Sequence, residues 1–135
     1  MTSGYSGKPL ATKMGIKPGQ RIIILHAPEG YQATLGGALD DVDVAHELSG
    51  TFDLIQYFVT ERAAYERDFP RLRDALTTAG MLWVSWPKKA AKMVTDLDEN
   101  FIREFGLANG LVDVKVIAVD ERWSGLKFVR RLKDR

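Results

Sequence analysis

The feature that most constrains the fold is a continuous apolar run near the start of the chain. Four aliphatic residues follow a Pro-Gly turn signal in the order Ile22-Ile23-Ile24-Leu25. Strict alternation of apolar and polar residues would predict a strand with one solvated face, whereas a continuous run predicts a strand covered on both faces. The run therefore predicts the central strand of a parallel sheet.

Length and composition predict one domain of an ordinary globular kind. The 135 residues suffice for a single core, Lys and Arg exceed Asp and Glu by one, and there is no cysteine. The N-terminus is polar, and no window approaches the ~20 apolar residues that span a bilayer. We expect a cytoplasmic protein without membrane contact, with an N-terminal loop and short helix over residues 1–18 and a single domain over 19–135.

Strand and helix signals alternate along the chain. After a short helix that Gly15 closes, strands are predicted at 22–25, 42–48, 52–59 and 81–86. The main helix is predicted to begin after Thr60, to kink or restart at Pro70 and to end at Gly80. A second helix is predicted to begin at a capping box that starts at Thr95 and to end at Asn109-Gly110. Two further strands, 111–119 and 126–132, are joined so closely that they must pair antiparallel.

This order predicts an α/β, three-layer Rossmann-like sandwich. Alternation of strands and helices indicates a mostly parallel sheet covered on both faces, and the last two strands form a closing antiparallel hairpin. We expect the strand order 2-1-3-4-6-5, with the sixth strand antiparallel between its neighbours.

Three segments carry a resemblance to the class I S-adenosylmethionine-dependent methyltransferase fold in a shortened form. They are Gly19 to Ala27, Ala79 to Val84 and Gly110 to Leu132. The resemblance implies a glycine-rich cofactor loop, D/E-x-G-x-G-x-G, after the first strand, and an acidic ligand at the end of the second, for which Glu47 is the candidate. In this chain the loop contains Pro28 and Tyr31 where glycines are expected. We therefore assign no cofactor and expect S-adenosylmethionine to bind weakly or not at all.

Two sequence blocks are also similar to a small bacterial family of unknown function. They are G-Y-S-G-K-P from Gly4 to Pro9 and L-W-V-S-W-P-K-K from Leu82 to Lys89. The similarity extends over nearly the whole chain, but it implies no activity.

Candidate binding residues cluster where strands end. In open α/β sheets, ligands bind beyond the carboxyl ends of the strands. Lysines in this region would favour a phosphate or carboxylate, and a tryptophan at a strand end could line a pocket. The predicted ligand-binding residues are Pro28, Glu29, Gly30, Glu47, Trp86, Lys88, Lys89 and Lys92.

No pattern in the sequence indicates catalysis or a metal site. His26 and His46 could approach each other at the ends of adjacent strands, but nothing fixes their orientation, so we assign no metal. Trp123 is expected to pack at the surface. No nucleophile, base and orienting group are recognisable together, so we assign no catalytic residue.

We therefore favour a non-catalytic domain, not an enzyme, that binds a small anionic ligand or a protein partner. The alternative is an S-adenosylmethionine-dependent transferase with an atypical cofactor loop. The basic tail Arg130 to Arg135 is too short and too nearly neutralised for us to expect nucleic-acid binding. The sequence leaves the oligomeric state open.

Overall fold

A computed structural model describes residues 8–135 of the chain. The N-terminal loop expected over residues 1–7 lies outside this range, as does most of the Gly4 to Pro9 block. None of the helices formed by residues 8–135 is long and apolar enough to cross a membrane. The strands and helices are α1 (Leu10–Met14), β1 (Arg21–Leu25), α2 (Tyr31–Leu35), β2 (Asp43–Ala45), β3 (Phe52–Phe58), α3 (Arg62–Asp74), β4 (Leu76–Pro87), α4 (Glu99–Ala108), β5 (Leu111–Ala118) and β6 (Trp123–Arg130).

The strands form one six-stranded sheet in the order β2-β1-β3-β4-β6-β5. Strand β1 pairs in parallel with β2 and β3, and β3 pairs in parallel with β4. Strand β6 is antiparallel to both β4 and β5. The predicted fold class, strand order and closing hairpin are confirmed.

The central strand is covered on both faces, as its apolar run predicts. Ile22 packs in a cluster with α1 and α2, whereas Ile23 packs in a second cluster with α3 and α4. Both side chains are at most 1% exposed. Because successive side chains of a strand point to opposite faces, this arrangement gives three layers with the sheet in the middle.

A buried tryptophan attaches α1 to the sheet. The Trp83 Nε1–H donates to the carbonyl oxygen of Met14 at 2.9 Å, and the tryptophan is fully buried. Gly15 follows the helix with φ of 85°, a left-handed conformation that glycine adopts without strain. The predicted helix and its glycine stop are confirmed, as is the core position of Trp83.

The predicted end of the main helix is wrong. Helix α3 runs through Pro70 without restarting, and β4 begins at Leu76. Gly80 therefore lies inside β4, where the pairing with β3 shifts register. A Cβ there would lie 2.9 Å from the carbonyl oxygen of Phe52, which is too close. The glycine is required for this close approach of two backbones rather than for ending a helix.

Smaller boundaries also differ from the prediction, among them β6, which runs over Trp123–Arg130 instead of 126–132. Helix α4 is capped by Asp98, whose carboxylate accepts the N–H of Phe101 at 2.8 Å, rather than by Thr95. The Thr95 hydroxyl instead donates to the carbonyl of Thr60 at 2.6 Å. Strand β2 is only three residues long, and residues 46–51 lead from it to β3 without forming a helix or strand.

Candidate functional site

A crevice opens between β1 and β3, at the point where the strand order reverses. From β1 the chain continues to β2 on one side and then to β3 on the other, and open α/β sheets bind ligands at such a switch point. A cavity of about 250 Å³ lies there. It is lined by His26 after β1, by the end of β3, by Arg67 and Asp68 of α3, and by Trp123 of β6.

The loop after β1 contains two residues in the left-handed backbone conformation. His26 has φ of 59° and Gly30 has φ of 80°. For a histidine this conformation is uncommon and mildly strained, and such strain occurs most often at functional sites. The exposed His26 ring lies 5.8 Å from the ring of Tyr57, measured between centroids. The strained loop residue thus forms part of the crevice wall.

A buried carboxylate anchors the other wall. Asp68 is 4% exposed and accepts a hydrogen bond from the Tyr57 hydroxyl at 2.7 Å. The Arg67 Nε donates to Asp68 at 3.0 Å, and Arg71 Nη2 does so at 3.4 Å. Burial acts to raise the pKa of Asp68, but the hydrogen bonds from Arg67 and Tyr57 and the two guanidinium charges outweigh it and hold that pKa below its usual value.

Tyr57 is correspondingly held in its neutral form. Burial raises the pKa of its hydroxyl far above the usual value, and the hydrogen bond to the Asp68 carboxylate raises it further. The same hydroxyl lies 3.2 Å from the carbonyl oxygen of Ala64. Tyr57 is therefore a fixed hydrogen-bond donor that positions its ring beside His26, rather than a group that exchanges protons near neutral pH.

The lining of the crevice suits a cation better than an anion. Arg67 and Arg71 already neutralise Asp68, whereas the exposed carboxylate of Glu61 forms no ion pair within residues 8–135. Aromatic rings complete the wall: Phe58 and Trp123 meet edge to face with their centroids 5.0 Å apart. Aromatic faces and carboxylates together attract positively charged ligands.

Trp123 corrects our expectation of a surface residue. It is 7% exposed and packs against Phe58 in the core cluster on the α1 and α2 side of the sheet. It begins β6, which lies inside the sheet between β4 and β5. The position of β6 buries its first residue, whereas from the sequence alone Trp123 belongs to an exposed turn.

The predicted ligand-binding residues at the end of β4 do come together. Trp86, Lys88 and Lys89 line one cavity of about 430 Å³. Asp98 and Glu99 line the same cavity, so the two ammonium groups face two carboxylates. These carboxylates weaken the electrostatic preference for an anion, although their ion pairs are formed with Arg62 and Arg103 rather than with the two lysines.

The remaining predicted residues lie elsewhere. Glu47 lines a separate cavity of about 450 Å³ with Arg21 and His46, at the β2 edge of the sheet. The segment Pro28 to Gly30 and the exposed Lys92 lie outside these three cavities. The ligand-binding role of the eight residues stays a prediction.

The loop after β1 also shows whether this chain could hold S-adenosylmethionine. Tyr31, which we expected to obstruct the loop, is 5% exposed and packs against Phe58 instead. A Cβ added to Gly30 would meet no heavy atom within 4 Å. Within residues 8–135, the N–H groups of Ala27, Glu29 and Gly30 donate no hydrogen bond. The loop therefore fits a ligand that approaches the backbone, although Pro28 supplies no N–H donor to it.

His26 and His46 line different cavities and do not form a pair. Among the described residues, no group of three or more histidine, aspartate and glutamate side chains is placed to hold a metal ion.

Sequence reasoning predicted none of the residues that line the crevice as ligand-binding, and Tyr57, Glu61 and Asp68 are the most important of those it missed. One signal was present, because Asp68 occupies the i+3 position of the apolar stripe that begins at Tyr65. A carboxylate on the buried face of a helix needs a partner, and it therefore indicates either a structural ion pair or a functional site.

Comparisons with known proteins identify the fold. No family model matches the sequence, and no curated protein matches it. Solved structures do match, among them magnesium protoporphyrin IX methyltransferase from Synechocystis with bound S-adenosylmethionine, at 14% identity and a TM-score of 0.61, over 90% of this chain and 74% of that chain. A TehB-like S-adenosylmethionine-dependent methyltransferase from Corynebacterium glutamicum matches at 11% identity and a TM-score of 0.59, over 90% and 85% of the two chains.

A third match is a crystal structure described as a sarcosine dimethylglycine methyltransferase from Galdieria sulphuraria, at 11% identity and a TM-score of 0.58, over 88% and 83% of the two chains. These structures contradict our interpretation of the chain as a non-catalytic domain and not an enzyme, and they favour the alternative of a transferase. The similarity to a bacterial family stays a prediction. The chain has the class I methyltransferase-like fold.

Proposed function

We propose that this chain is an S-adenosylmethionine-dependent transferase with an atypical cofactor loop, and that the crevice between β1 and β3 is its site. The observation that carries the proposal is the lining of that crevice, which combines aromatic rings with the exposed carboxylate of Glu61 at the switch point of the sheet. When bound, S-adenosylmethionine supplies a methyl group on a positively charged sulfur, which this lining suits.

The loop after β1, which adjoins the crevice through His26, and the crevice itself each have a role in this proposal. The N–H groups of Ala27, Glu29 and Gly30 would bind polar groups of the cofactor, as glycine-rich loops do. Glu61 is exposed at the mouth and would attract the cofactor's positive charge. Asp68 is a positioning residue, because its oxygens are already occupied by Tyr57 and two arginines.

The neighbouring cavity at the end of β4 is the natural place for the methyl acceptor. It is the larger of the two, and Trp86, Lys88 and Lys89 line it. The two cavities are adjacent, because the Thr95 hydroxyl in the second bonds the carbonyl of Thr60 in the first. A cytoplasmic location is part of the same proposal.

Replacing His26 by glycine tests the cofactor loop. Glycine adopts φ of 59° without strain and removes a ring from the backbone's approach, so His26→Gly should bind S-adenosylmethionine several-fold more tightly than the parent chain. Calorimetric titration with S-adenosylmethionine and with S-adenosylhomocysteine gives both affinities.

His46→Gly is the matched control, since His46 is also exposed but lines the cavity at the β2 edge, and its affinity should equal that of the parent chain. If neither the parent chain nor His26→Gly binds either compound at millimolar concentration, the proposed function is wrong.

A further inference from the structure

A β-bulge in the terminal hairpin redirects one lysine. The pairing of β5 with β6 shifts register between Asp113 and Lys115, so that Val114 has no partner in the ladder. Residues two apart normally share a face of a strand, but the inserted residue breaks this rule. Asp113 faces α4, where Arg103 Nε donates to its carboxylate at 2.9 Å. The bulge turns Lys115 to the opposite face.

On that face Lys115 lies directly opposite another lysine. It pairs with Lys127 of β6, and Lys127 in turn pairs with Trp83 of β4, which belongs to the cluster on the α1 side. Directly opposed side chains have Cβ atoms roughly 4.5–5.5 Å apart, and like charges at this spacing destabilise a sheet. The bulge thus creates a repulsive pair and separates Lys115 from Asp113, the nearest acid along the strand.

Neither lysine is neutralised within the part of the chain that the structure describes. Across residues 8–135, neither Lys115 nor Lys127 forms an ion pair or a side-chain hydrogen bond. Lys127 is half-buried, and its burial together with the charge of Lys115 lowers its pKa. Lys13 of α1 adds a further ammonium group beside the same strand, since its Nζ lies 3.4 Å from the carbonyl oxygen of Ala118.

We propose that Lys115 and Lys127 form a phosphate-binding site on the α1-side face of the hairpin. Two ammonium groups that repel each other gain most from a ligand with two negative charges, because one ligand then neutralises both. The ligand class is a phosphate group, carried either by a small molecule or by a nucleic-acid backbone. The site lies on a sheet face, away from the crevice between β1 and β3, and it does not depend on the proposed transferase activity.

The test measures binding of inorganic pyrophosphate by backbone amide NMR titration of the full chain. In the parent chain we expect shift changes concentrated in Val112 to Ile117 and Leu126 to Val129. In Lys115→Glu the repulsive pair becomes an attractive one, so the affinity should fall at least tenfold while Tm rises by about 2–4 °C. Lys127→Met keeps the buried apolar stem without the charge and should lose affinity similarly.

Lys133→Glu is the matched control, because it makes the same charge change at an exposed lysine beyond β6 and should leave the affinity unchanged. Equal affinity in Lys115→Glu and the parent chain, or shift changes in the parent chain that fall outside the hairpin, would overturn the proposal.

A second titration, with a single-stranded oligonucleotide at two salt concentrations, distinguishes a phosphate carried by a small molecule from one in a nucleic-acid backbone. If the oligonucleotide binds more tightly than pyrophosphate, weakens as salt rises and no longer binds Lys115→Glu, the ligand is a nucleic-acid backbone. If the oligonucleotide binds more weakly than pyrophosphate, the ligand is a small phosphorylated molecule.

Discussion

Gly106→Ala is expected to lower the free energy of unfolding by about 1–3 kcal/mol, although alanine is the better helix former. Gly106 is buried in the last turns of α4, and a Cβ there would overlap the ring of Phe128 in β6. That ring is fully buried and also contacts Phe69 with centroids 5.6 Å apart, so it has little room to move. Urea denaturation monitored by far-UV circular dichroism gives the difference.

A double-mutant cycle separates overlap from helix propensity. Phe128→Leu removes Cε1 and Cζ, the two ring atoms that the new methyl group would overlap most, at a cost of its own. In that background Gly106→Ala should raise stability by up to about 1 kcal/mol, because only the propensity gain remains. If alanine destabilises the helix equally in both backgrounds, the ring of Phe128 is not the cause.

The sheet was predictable because its signals are local and strong. The Ile22 to Leu25 run specifies a strand buried on both faces, and the short connection before β6 permits only an antiparallel hairpin. The strand order follows from these two elements and the alternation between them. Gly80 was misassigned because glycine ends helices and also allows two backbones to approach closely, and only the position of Phe52 distinguishes these uses.

The crevice was much less predictable than the sheet. His26 comes from the loop after β1, Tyr57 from β3 and Asp68 from α3, so tertiary structure alone brings them together. Lys88 and Lys89 do line a cavity, but Asp98 and Glu99 at the start of α4 line it too, and their position there depends on the fold. The expected obstruction by Tyr31 was wrong for a similar reason, since only its burial shows that the ring points away from the loop.

Asp68→Asn is expected to lower the free energy of unfolding at pH 7 by about 2–3 kcal/mol. Asp68 is buried, and its two oxygens accept hydrogen bonds from Tyr57, Arg67 and Arg71. Asparagine has the same shape but replaces one acceptor by an NH₂ donor, which must then face either the Tyr57 hydroxyl or an arginine that can only donate. Asp74→Asn, an exposed carboxylate of α3 paired only with arginine, is the control and should cost at most about 1 kcal/mol.

The pH dependence of this difference gives a second check. The pKa of Asp68 is lower in the folded chain than the value of about 3.9 typical of an unfolded one, so its charge stabilises the fold above that value. The contribution is lost as pH falls through the lower, folded pKa. The gap between the parent chain and Asp68→Asn should therefore be full at pH 7 and at pH 5, and smaller at pH 3. A gap that stays constant down to pH 3 would show that the carboxylate's charge contributes nothing to stability.

Asp68 also fixes Tyr57 in the crevice wall. If the proposed site is correct, Asp68→Asn should therefore bind S-adenosylmethionine more weakly than the parent chain, whereas Asp74→Asn should bind it equally well.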